Sequence, residues 1–149
     1  FMKKYNLNFS HTNYFIINKS EKKIGKFKAK PKINYKDLLK SCDIGLSTVM
    51  VKKSLLRKNL FCKLRTKEDF YLWLQLIKSE KKIFCINKYL VSWRYLESSL
   101  SSSVSQRLLD AFRLYNTYEK YNFLTSVYYV IRLSYYAFIK KLKIYKSYG

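Results

Sequence analysis

Between Thr66 and Ile77 the pattern of apolar residues admits one kind of element. Phe70, Trp73, Leu74 and Ile77 recur at i, i+3, i+4 and i+7, a single face of a 3.6-residue period. Leu72 and Leu76 widen that face, while Tyr71, Gln75 and Lys78 form a polar stripe. Thr66 followed three residues on by Asp69 has the spacing of a capping box, so a helix is expected to start there. Two adjacent carboxylates, Glu68 and Asp69, then stand at the mouth of a deeply buried helix. That is a rigid place from which to aim an acid toward a cleft. The helix dipole is expected to hold the Asp69 pKa down.

The chain is long enough for one real core, and its 48% hydrophobic and 18% aromatic content argues against disorder. Three Gly and one Pro leave no Gly-rich phosphate loop. A net charge of +22 has two readings: an anionic partner, or a lysine-rich compositional bias. Arg, the better reader of bases and phosphates, supplies only six of the 31 basic residues, which weakens the case for nucleic acid. Cys42, Cys62 and Cys85 are widely spaced and there is one histidine, His11, so a zinc site is unsupported and free buried thiols are expected.

Asn8–Asn18 reads as a strand and Ile24–Ala29 as its hairpin return. His11 in the first of these has no acid or Cys close by in sequence and reads as structural or solvent-facing rather than catalytic. Tyr35–Ser41 reads as a short helix, Leu46–Val51 as a buried strand carrying Ser47 and Thr48, and Lys52–Arg57 as a second short helix. Ile83–Tyr95 is a strand region ending in Trp93 and Arg94. Leu96–Ser105, with six Ser, is a loop. Two helices close the chain, Val104–Tyr121 and Leu124–Leu142. The second carries Leu124, Val127, Tyr128, Ile131, Tyr135 and Phe138 on one face, with Lys140, Lys141, Lys143 and Lys146 after it. Arg132 interrupts its apolar run, so a buried or interfacial helix is expected rather than a membrane span. The basic tail suits either an anionic membrane surface or a solvated end of a packed helix.

The run Glu68-Asp69-Phe70-Tyr71-Leu72-Trp73-Leu74 resembles the acidic-pair-plus-Trp motif of inverting family-two glycosyltransferases with a GT-A fold. Tyr35–Met50 upstream, and Tyr89–Arg94 with the Ser-rich Ser98–Ser101 downstream, fall in that family's order. The resemblance covers nearly the whole chain but only the acceptor-side half of such an enzyme, and no Asp-x-Asp metal motif is present.

The resemblance implies an α/β fold: the C-terminal part of a GT-A fold over residues 1–103, incomplete at its start, followed by a C-terminal helical extension over 104–149. It implies transfer of a sugar from a nucleotide-sugar to an acceptor hydroxyl, on a saccharide or lipid-linked acceptor, in cell-surface polysaccharide synthesis. Asp69 takes the role of general base and Glu68 a supporting one. Arg94, Trp73, Ser99 and Ser101 are the substrate-binding candidates. Mg or Mn is implied for the whole enzyme, with its ligands mostly before Phe1; the His that often follows the family's Tyr-Arg is replaced here by Leu96. The expected location is cytoplasmic, peripheral at the inner face of the cell membrane, and the chain alone is expected to be inactive. The rival readings are a basic module that binds nucleic acid or a membrane surface without catalysis, and an inactive remnant.

Overall fold

A computed structural model describes residues 1–56, 61–96 and 103–146. Its centre is strand β1 (Phe9–Ile17), rich in the aromatic and β-branched residues that suit a pleated surface. β1 pairs antiparallel with β2 (Lys23–Phe27) and parallel with the long β5 (Lys82–Arg94). Covered on both faces, it is buried continuously from Phe9 to Asn13, as central strands with a parallel partner are. The short β3 (Lys32–Asn34) closes the other edge against β5, and β4 (Met50–Val51) pairs with the start of β1. The order β2-β1-β5-β3 makes a mixed sheet in a mixed α/β fold.

Helix α1 (Tyr35–Lys40) has a true capping box. The Asp37 N–H donates to the Asn34 side chain at 2.9 Å, and the Asn34 N–H donates back to Asp37 at 3.2 Å. Helix α2 (Glu68–Glu80) carries the predicted apolar face: Phe70, Trp73, Leu74 and Ile77 are all buried. Its start differs from the expectation. Lys67 is the N-cap and no side chain caps it. Thr66 is drawn away by a stronger acceptor, the Asp110 carboxylate, which takes both its N–H and its hydroxyl.

The strand expected over Leu46–Val51 is mostly absent. Leu46–Thr48 is a tight 3-10 turn, and strand pairing is confined to Met50 and Val51. The Thr48 hydroxyl donates to the Gly45 carbonyl at 2.7 Å, a local bond that competes with a sheet ladder. Lys53–Leu55 forms one further 3-10 turn where a short helix was expected.

The closing helices are α3 (Val104–Arg113), continued by a wider π-helical turn over Leu114–Tyr118, and α4 (Phe123–Lys146). They share the main core rather than extending from it: Ala111, Leu114, Tyr115 and Leu133 pack in one cluster with Leu38, Trp73 and Ile83. Glu119, its side chain almost fully buried, ties the helices together. It accepts from the Tyr35 hydroxyl at 2.6 Å and the Gln75 amide at 2.8 Å, and pairs with Lys78 at 2.9 Å. The face of α4 named by the sequence points outward. Leu124, Tyr128, Ile131, Tyr135 and Phe138 are exposed, and Ser126 and Leu133 turn inward instead.

Candidate active site

Because α2 packs its apolar face against the sheet, its first turn is fixed. Asp69 sits in that turn and lines a cleft of about 420 Å³ with Tyr14, Gly45, Leu46, Ser47, Thr48 and Trp93. Three separate segments meet there: the middle of β1, the Gly45–Thr48 turn, and the end of β5. Parallel pairing of β1 with β5 sets Trp93 opposite Ile16 and Val91 opposite Tyr14, which carries the end of β5 to the cleft.

The Asp69 carboxylate accepts the Phe70 N–H at 2.7 Å. Its pKa is nevertheless raised, not lowered. Burial is the largest cause and the adjacent Glu68 charge adds to it, while the backbone N–H groups and Lys67 only partly oppose them. The sequence expectation weighed the helix N-terminus alone, and desolvation outweighs it. A carboxylate with a raised pKa is a stronger base than an ordinary one, which suits proton abstraction. Glu68 lies outside the lining, and one of its carboxylate oxygens is buried without a partner. It acts on Asp69 through charge.

Other expected site residues fall elsewhere. Trp73 is 2% exposed and packs on Phe9 with ring centroids 5.2 Å apart, so it is a core residue and not a sugar platform. Four positions after Asp69 on α2, it projects from the inner face of the helix. Arg94 is held by Glu21 at 2.9 Å and by the Lys19 carbonyl at 3.2 Å. Neighbouring strand residues project to opposite faces, so with Trp93 in the cleft Arg94 turns away from it. Ser99 and Ser101 lie outside the described residues. Ser47 and Thr48 do line the cleft. Sequence reasoning missed Trp93 and Tyr14; the alternation of β5 was the available signal for Trp93.

His11 is fully buried, neither ring nitrogen has a hydrogen-bond partner, and burial pushes its pKa down to about 4. It is neutral at physiological pH and structural in position. Among the described residues no three His, Cys, Asp or Glu side chains come together to hold a metal ion. None of the described helices is long and apolar enough to cross a membrane.

Comparison with known proteins shows what class of protein carries these residues. The chain is 40% identical, over 72% of its length, to the UDP-Glc:alpha-D-GlcNAc-diphosphoundecaprenol beta-1,3-glucosyltransferase WfgD of Escherichia coli. It is 32% identical over 73% of its length to WfaP of the same organism, which has the same description. The chain is a homologue of bacterial glycosyltransferases. TuaG of Bacillus subtilis, named as a glycosyltransferase of teichuronic acid biosynthesis, matches at 26% identity over 95% of the chain. The chain spans about half the length of these glycosyltransferases: 42% of WfgD, 57% of TuaG and 43% of WfaP. No protein-family model matches it, and no solved structure matches it.

Proposed function

We propose that this chain forms the acceptor side of an inverting glycosyltransferase of GT-A fold. In this reading it serves cell-surface polysaccharide synthesis and transfers a hexose from a nucleotide-sugar to a lipid-linked saccharide. The observation that carries the proposal is the partly buried Asp69 carboxylate in an open cleft, in a chain homologous to enzymes of that class. Asp69 takes the proton of the acceptor hydroxyl as that oxygen bonds to the anomeric carbon. The bond from that carbon to the nucleoside diphosphate breaks, and the diphosphate leaves with the electron pair. One attack from the opposite side inverts the configuration. A positioned carboxylate base contributes about 10²–10⁴-fold. Trp93, 42% exposed in the cleft, offers an aromatic face to the acceptor sugar, and Ser47 and Thr48 offer hydroxyls.

Magnesium or manganese, implied by the family resemblance, finds no ligand set among the described residues. The chemistry assigned to these residues is proton transfer and acceptor positioning. Asp69→Asn tests the reading, since it removes the charge while keeping the shape.

The same reading lays α4 on an anionic membrane surface. Leu124, Tyr128, Ile131, Tyr135, Phe138 and Leu142 are all exposed and recur every three or four residues, an apolar stripe along one side of the helix. The net charge of +22 complements an anionic bilayer, and each basic residue near the surface adds about 1 kcal/mol. WfgD and WfaP, by their names, act on a diphosphoundecaprenol-linked substrate, which is a lipid.

A further inference from the structure

We propose that a second, larger groove, bounded by β2, α1 and α4, seats the diphosphate of a prenyl-diphosphate-linked acceptor whose sugar reaches Asp69. This rests on the glycosyl-transfer reading of the Asp69 cleft. The groove has a volume of about 690 Å³. Five lysines line it, Lys26, Lys28, Lys30, Lys40 and Lys140, against two aspartates, Asp37 and Asp43.

Both aspartates are engaged. Asp37 pairs with Lys30 at 2.8 Å, and Asp43 lies 3.5 Å from Lys140. Lys140 is further held by the Cys42 carbonyl at 3.0 Å, and its ammonium sits 4.0 Å from the Phe27 ring centroid. Lys26, Lys28 and Lys40 make no ion pair among the described residues. Three positive charges lining one groove, whose two aspartates are already paired, are a focused field for a compact polyanion. Lysine binds phosphate as a point charge and needs no fixed fork geometry.

The groove adjoins the Asp69 cleft. Tyr14 lines the cleft and packs with its ring centroid 5.1 Å from that of Phe27, which lines the groove. The chain from Ser41 to Thr48 runs from one to the other: Ser41 and Asp43 line the groove, and Gly45 to Thr48 line the cleft. The apolar lining comes mainly from α4, through Tyr136, Ile139 and Ile144, joined by Phe27 of β2 and Tyr89 of β5. Gly25 lets that wall close on β2, since a Cβ there would stand 2.8 Å from the Ile144 side chain. In the proposal the sugar sits at Asp69, the diphosphate among the lysines and the prenyl chain along α4, with the Tyr14–Phe27 ring pair and the 41–48 segment between the two cavities. An anion and an apolar chain recognised side by side distinguish a prenyl diphosphate from a nucleoside diphosphate.

The test is binding of farnesyl diphosphate, uridine diphosphate and farnesol to the purified chain, followed by calorimetry at low and high salt. Farnesyl diphosphate should bind best and weaken with salt. The variant Lys26→Gln/Lys28→Gln/Lys40→Gln should lose about tenfold or more of that affinity. Lys26→Gln/Lys28→Gln, confined to the exposed strand edge, keeps the test readable should the triple variant not fold, and should show a smaller loss in the same direction. Asp69→Asn should bind farnesyl diphosphate as wild type does, so failure of the groove and failure of the catalytic reading are separable. Undiminished affinity in the lysine variants, or equal binding of farnesol, overturns the proposal. Equal binding and equal loss for uridine diphosphate assigns the groove to a donor diphosphate and also overturns it.

Discussion

Thr66 gives both its backbone N–H and its hydroxyl to one oxygen of Asp110, each at 2.9 Å. The other Asp110 oxygen accepts from the Gln106 amide at 3.0 Å. This clamp ties α3 to the residues just before α2, and so sets where Asp69 stands.

Asp110→Ala should therefore act on both stability and rate. It leaves two Thr66 donors without their acceptor at a site where Asp110 is 1% exposed, at a cost of about 1–3 kcal/mol. Burial pushes the Asp110 pKa up, but hydrogen bonds from Gln106 and Thr66 outweigh it and hold the carboxyl below its usual range. A folded-state pKa below the unfolded one gives stability that is present at neutral pH and lost as pH falls through the folded value. Denaturant melts at pH 7 and at about pH 3 should show the wild-type advantage over Asp110→Ala shrinking in acid.

The two tryptophans should separate cleanly. Trp73→Ala removes a core side chain and should cost about 3–5 kcal/mol, read from chemical denaturation. Trp93→Ala should leave the melting temperature close to wild type and raise the KM for acceptor. The reverse pattern would return Trp73 to the site and make Trp93 incidental.

The difference between these residues shows how far the sequence could be read. Helix α2 and strands β1 and β5 were legible because each repeats its pattern over many residues. The Gly45–Thr48 turn was not, since it is closed locally by the Thr48 N–H and hydroxyl on the Gly45 carbonyl, while Thr48 and the Val49 after it also suit a strand. The place of Trp93 depends on the register of β5 against β1, a long-range pairing. For α4, periodicity marked a face without saying whether it turned in or out. Both sides carry aromatics, and packing with α1, α3 and β2 decides which is buried. The raised pKa of Asp69 likewise comes from burial by residues distant in sequence.

The α4 stripe gives a membrane prediction. The chain should co-sediment with vesicles containing anionic lipid, and binding should fall as salt rises, because screening weakens surface charge. Ile131→Ser/Tyr135→Ser/Phe138→Ser, all at exposed positions, should lower vesicle binding about tenfold or more with little change in melting temperature. Undiminished binding by that variant would show that the stripe does not touch lipid.

Asp69 should also leave a signature in pH. Its folded-state pKa is raised, so the folded protein holds that proton more tightly than the unfolded chain does. Stability from this group is present below the unfolded pKa and falls as pH rises through the folded value, where the buried charge must form. Asp69→Asn should thus melt at or above the wild-type temperature at pH 7. The acid limb of the transfer rate should lie above the ordinary carboxylate range.

The most direct measurement is the transfer rate of Asp69→Asn, made in the longest form of the protein that transfers sugar. Loss of the base should lower the rate by about two to four orders of magnitude while acceptor binding persists. A rate within a few-fold of wild type would contradict the account and leave Asp69 as a buried acid at a helix end.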